Sequence, residues 1–93
     1  SMSHFTTIQT QIKDLKALEA AVNELGLELL SNTEARGYST QRLKAPHVIR
    51  LKGPYDIAVQ PLPDHSFGLT TDWWQGHVEK EVGPKFGRLL QLY

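Results

Sequence analysis

The sequence predicts an α+β domain: a mostly antiparallel sheet of about five short strands with two helices packed on one face, in the order β-α-β-β-β-β-α. Three observations carry this reading. A stripe of apolar residues at helical spacing follows Asp14. Short alternating segments separated by Gly/Pro turns fill residues 47 to 71. A second helical stripe runs from Trp73 to Tyr93.

The first strand is expected over His4 to Ile12, where Thr6, Ile8, Thr10 and Ile12 share one parity and Phe5 lies on the other. Asp14 can cap a helix, because its carboxylate accepts hydrogen bonds from first-turn N–H groups. Leu15, Leu18, Val22 and Leu25 then fall on one face, and Gly26 suits the left-handed position after the helix end. Leu27 to Ser31 reads as a short strand, and Asn32 to Leu43 as a polar loop or irregular hairpin. Three strands follow at His47–Leu51, Tyr55–Gln60 and Phe67–Thr71. The turns between them are Lys52-Gly53-Pro54 and Pro61-Leu62-Pro63-Asp64-His65. In the tail, Val78, Val82, Phe86, Leu89, Leu90 and Tyr93 repeat at helical spacing, and Gly83-Pro84 predicts a break with Pro84 starting a second piece. One core of Leu18, Val22, Leu25, Ile57, Val59, Leu69, Phe86 and Leu89 is expected.

With 93 residues the chain is one domain, taken as 2–93 because Ser1 before Met2 reads as the scar of a cleaved tag. A chain of this size buries roughly 64% of its unfolded surface, a modest core. Lys+Arg and Asp+Glu are both 10. This balance gives no net attraction to phosphate backbones. The absence of cysteine excludes disulfides, thiolate catalysis and Cys-based zinc sites. No apolar run approaches the roughly 18 residues of a membrane span, so a cytoplasmic setting or the plastid stroma is expected.

Candidate chemistry is sparse. His4, His47, His65 and His77 are scattered over separate segments without the close pairs of zinc sites, so no metal and no cofactor are expected. There is no G-x-S-x-G turn or Gly-rich phosphate loop, so no catalytic residue is assigned and the chain is read as non-catalytic. Arg36-Gly37-Tyr38 offers a guanidinium and an aromatic beside a flexible glycine, suited to a phosphate, a carboxylate or a peptide; equally, Gly37 only turns the chain and Tyr38 folds onto the core. Trp73-Trp74 offers a large apolar area with a donor; equally, both rings cap the seam between sheet and helix. Arg36, Arg42, Lys44, Arg50 and Lys52, with Tyr38 and Tyr55, resemble a basic and aromatic single-strand surface, or an ordinary solvated hairpin.

The segment SHFTTIQTQIKDLKALEAAVNELG resembles the start of the hypothetical chloroplast reading frame 35 family, domain of unknown function 1257, from cyanobacteria and plastids. Arg36-Gly37-Tyr38 with Gln41, His47 to Arg50, Tyr55-Asp56-Ile57 and Asp72-Trp73-Trp74-Gln75 are similar to its later landmarks. Thr40 departs from the pattern, where a small glycine is expected. Longer members continue beyond the last helix, so a short form carried by a phage of marine cyanobacteria is the expected source. The resemblance implies a setting and no activity.

The expected function is a non-catalytic protein-interaction or regulatory module. Its candidate contacts are Arg36, Tyr38, Arg50, Trp73 and Trp74. The alternative is a single-stranded nucleic-acid-binding module using residues 36–55. A homodimer is also expected, through a sheet edge or through the tail, where Leu90 and Leu92 are the candidate contacts. Pro46, Pro54, Pro61 and Pro63 are expected to blunt the meander's edges.

Overall fold

The computed structural model describes residues 4–93. The expected domain start at Met2 and the tag residue Ser1 lie outside the described residues. The architecture is the expected α+β one. Five strands, β1 (Phe5–Gln9), β2 (Glu28–Arg36), β3 (Arg42–Arg50), β4 (Ile57–Pro61) and β5 (Phe67–Asp72), form one antiparallel sheet in the order β1-β5-β4-β3-β2. Helix α1 (Leu15–Glu24) joins the two edge strands. Four strand spacings come to about 19 Å, and the helix itself covers about 15 Å of that at 1.5 Å per residue.

The capping of α1 follows the sequence. The Asp14 side chain accepts a hydrogen bond from Ala17 N–H at 3.1 Å, and Gly26 takes φ +77° just past the end. The apolar stripe of α1 meets the sheet in a core that includes Leu18, Val22, Ile57, Val59, Leu69, Phe86 and Leu89, all fully buried, with Leu25 packed at its margin. The tail is helical but divided. A 3-10 turn at Trp74–Gly76, helix α2 (Glu79–Val82), a second 3-10 turn at Pro84–Phe86 and helix α3 (Gly87–Leu92) follow one another. Pro84 opens the second 3-10 turn, as expected of a residue with fixed φ and no N–H.

The segment from Asn32 to Leu43 is not the expected loop. It belongs to a long β2–β3 ribbon whose register runs from Glu28↔Arg50 to Arg36↔Arg42. The ribbon changes face half-way. On β3, Ile49 lies in the core under the helices, whereas Ala45, four residues away, belongs to a second cluster with Ala35, Val48 and Ala58. Strict alternation would place Ile49 and Ala45 on one side. On β2, Leu29 packs on the first core and Ala35 in the second. The switch falls at Asn32, with φ +50°, opposite Pro46, whose nitrogen cannot donate to the ladder. Beyond this point the ribbon folds back over the second face of the sheet, so the molecule has three layers: helices, sheet and folded-back hairpin.

Pro46 and Pro61 lie just past the end of the β3–β4 ladder at His47↔Val59, where these two strands part, and not on the outer strands. The edge strands are β1 and β2.

Candidate functional site

The tip of the folded-back hairpin rests where β4 begins and β5 ends, and two fully buried carboxylates receive it. Asp56 is the first. Arg36 donates to it from Nε (2.7 Å to Oδ2), Nη2 (2.8 Å to Oδ1) and its backbone N–H (2.9 Å to Oδ2). Leu51 N–H adds a fourth bond at 3.1 Å, and Arg50 Nε lies 3.3 Å away as an ion contact without an aligned hydrogen bond. The second bond of the guanidinium is of the bidentate kind that favours arginine over lysine. These hydrogen bonds hold the Arg36 guanidinium above its ordinary value, against its partial burial. Arg36 Nη2 also donates to the Leu51 and Gly53 carbonyls, while the Glu81 carboxylate accepts from Lys52 and Gly53 N–H on the other side of that turn.

Asp72 is the second carboxylate. Its Oδ2 accepts from Tyr38 N–H and its Oδ1 from Trp74 N–H, each at 3.0 Å. Among the described residues no cation pairs with it. One buried side chain thus fixes the backbones of two aromatic residues distant in sequence. The rings meet edge to face, with centroids 5.9 Å apart and planes at 72°. Tyr38 is 42% exposed and Trp74 is half-buried. Next to Tyr38, Gly37 lies against Phe5, and a Cβ on Gly37 would come within 2.7 Å of that ring. The absence of a side chain there is what lets the hairpin tip reach β1. Below this corner, burial pushes the Tyr55 phenol up, with Asp72 adding to the effect.

The structure divides the sequence candidates. Tyr38 and Trp74 come together at the surface. Trp73 turns the other way, its ring 4.7 Å from that of the buried Phe86, and packs on the main core. Arg36 and Arg50 face Asp56. In the tail, Leu90 is half-buried against the core and Leu92 is 38% exposed. The Tyr93 hydroxyl accepts from Lys13 and Asp14 N–H at 3.0 Å, tying the tail to the start of α1. Sequence reasoning assigned no role to Asp56 or Asp72. The available signal was an aspartate inside a strand-like run, Tyr55-Asp56-Ile57 and Thr71-Asp72-Trp73, where a charge must find partners once buried.

Among the described residues, recesses border the fold. One, of about 160 Å³, lies between α1 and the β2–β3 ribbon and is lined by Leu15, Lys16, Glu19, Leu29, Ser31 and His47. Ser31 and His47 are ladder partners there, with no side-chain hydrogen bond between them. Another, of about 330 Å³, lies beside β1 and is lined by Ile8, Trp73, Glu79, Pro84 and Lys85. Among the described residues no group of three or more His, Cys, Asp or Glu side chains is placed to hold a metal ion, and no helix is long and apolar enough to cross a membrane.

The family model for a protein of unknown function, DUF1257, matches residues 21–93, from the middle of α1 through every later element. The chain belongs to the DUF1257 family. The matched region contains the folded-back hairpin, both buried aspartates and the aromatic corner. No curated protein and no solved structure matches the chain.

Proposed function

We propose that this DUF1257 chain is a non-catalytic interaction module that docks a protein partner on the corner formed by Tyr38 and Trp74. The observation that carries the reading is the fixing of both aromatic backbones by the two oxygens of one buried carboxylate, Asp72. Aromatic side chains held in place before contact lose little freedom on binding and offer large apolar area with a polar tip. The setting that the sequence resemblance implies is an oxygenic phototroph or its phage, with the partner in the cytoplasm or the plastid stroma.

The alternative, single-stranded nucleic-acid binding through residues 36–55, has less support. Two of its five cations, Arg36 and Arg50, face Asp56 rather than solvent ligands. Arg42 Nη1 bonds the Ser39 and Gln41 carbonyls of its own turn.

The test compares immobilised wild-type chain with Tyr38→Ala and Trp74→Ala on a cyanobacterial lysate. A protein retained by the wild type at near-equal stoichiometry and lost by both variants is the expected result. Equal retention by all three rejects the aromatic corner. Tight binding of oligonucleotides that weakens steeply as salt rises would favour the alternative.

A further inference from the structure

We infer that the free edge of β1 is a self-complementary interface, and that its occupant is β1 of a second copy of this chain, paired antiparallel about Thr7. The inference rests on the sheet edge and its flanking groove, independently of the aromatic corner. β1 ends the sheet and pairs only with β5 among the described strands. An unpaired edge presents a row of N–H and C=O groups, and folded proteins ordinarily blunt it with charge, proline or a bulge. β1 reads Phe5-Thr6-Thr7-Ile8-Gln9, with no charge and no proline, and its register with β5 is unbroken from Phe5↔Asp72 to Gln9↔Gly68. The other edge, β2, carries Glu28, Glu34 and Arg36 and is bent at Asn32.

A two-fold axis at Thr7 uses the whole strand. It sets Thr7 opposite its own copy, Thr6 opposite Ile8 and Phe5 opposite Gln9. Thr6, Thr7 and Gln9 are exposed; the Thr7 hydroxyl is shared with that of Thr70 and the Gln9 amide donates to Asp64, so it is the Thr6 side chain and the outward backbone groups that meet the copy. The groove beside the edge has an apolar floor of Ile8, Trp73 and Pro84 and carries one acid and one base, Glu79 and Lys85. A two-fold interface places the same patch against itself, so a patch bearing both signs can be electrostatically complementary to its copy. The tail is the weaker candidate surface, because Leu90 packs on its own core and Tyr93 is bonded to the start of α1.

Light scattering and sedimentation across a dilution series test the assembly. A mass twice the chain's 10.5 kDa at micromolar concentration is expected. The variant Thr6→Lys, at an exposed position, should shift the dimer dissociation constant at least ten-fold with unchanged circular dichroism, and Leu92→Asp should leave it in place. Because the chain has no cysteine, Thr7→Cys adds a single reporter whose Cβ atoms would lie about 4.5–5.5 Å apart across the axis. Mild oxidation should cross-link it quickly, and Ser31→Cys on the opposite edge should not cross-link. A monomer persisting at high micromolar concentration overturns the inference. So does a dimer that survives Thr6→Lys, or one in which Thr7→Cys fails to cross-link while Leu92→Asp dissociates it.

Discussion

Asp56 is where single-residue changes at the hairpin tip should be felt most. Its carboxylate accepts from Arg36 Nε and Nη2 and from two backbone N–H groups, and it is fully buried. Replacing it with alanine leaves two N–H groups and Arg36 Nε without their acceptor, while Arg36 Nη2 keeps the Leu51 and Gly53 carbonyls. Asp56→Ala should therefore cost about 1–3 kcal/mol, in the range for leaving buried donors without an acceptor. Urea denaturation measures this, and a loss below about 1 kcal/mol would show that the hairpin tip is held by other contacts. At the surface, hydrogen bonds from the Ser66 hydroxyl and N–H hold the Asp64 carboxyl below its ordinary value. Ser66→Ala should raise it, as read by NMR titration of the side-chain carboxyl. The sign for stability follows. A carboxylate whose folded value is depressed stabilises the fold fully above its unfolded value, and that contribution fades as pH falls through the folded value. The four histidines illustrate what residue-level reading did show, a lack of close pairing. The aspartates show what it missed, since burial of a charge depends on a hairpin fold-back that no local pattern announces.

Among the elements, α1 was the most legible, because cap, apolar stripe and terminal glycine all agree locally. Leu18 on its buried face should cost about 2–5 kcal/mol on truncation to alanine, measured by thermal or urea unfolding. The long ribbon was legible only in its inner half. Asn32, Glu34, Arg36 and Lys44 look like loop composition, yet their segment stays paired through backbone hydrogen bonds and buries two small side chains, Ala35 and Ala45, on the second face with Leu43 partly covered beside them. Polar sequence with two alanines carries almost no strand signal. The tail offers a paired test in two glycines. Gly83 has φ +85° and ψ 163°, a region essentially reserved for glycine, and a Cβ there would come within 2.7 Å of Arg88 N. Gly87 lies at the start of α3 with φ −57° and nothing within 4 Å of an added Cβ. Gly83→Ala should destabilise by about 1–3 kcal/mol or more. Gly87→Ala should stabilise by about 0.5–1 kcal/mol. Melting curves of the two variants should move in opposite directions, and a shared direction would show that the break in the tail is shaped differently.

At the scale of the whole molecule, the turn at Lys52-Gly53 joins the layers. Arg36 reaches its carbonyl from the hairpin and Glu81 takes its N–H groups from the tail. Glu81→Gln should therefore weaken protection of the Lys52 and Gly53 amides in hydrogen exchange, while the centre of β4, under both cores, keeps its protection. Unchanged exchange at these amides would separate the tail from the turn. The sheet order was not legible in the sequence. Alternation identifies strands but says nothing about which neighbours they choose, and the pairing of the first strand with the last connects segments more than half the chain apart.

That pairing has a consequence for synthesis. β1 is made before the other four described strands, but its partner among them, β5, ends at Asp72. Until then an uncharged, threonine-rich strand has no ladder to join, while β2, β3 and β4 can already pair in turn. The nascent chain thus holds an uncharged strand without its partner until β5 has been made, and a stall before Asp72 leaves it open to neighbouring chains. Closure of the sheet is a late, long-range event, so synonymous slowing of translation between β4 and β5 should raise the insoluble fraction more than the same slowing placed after β5.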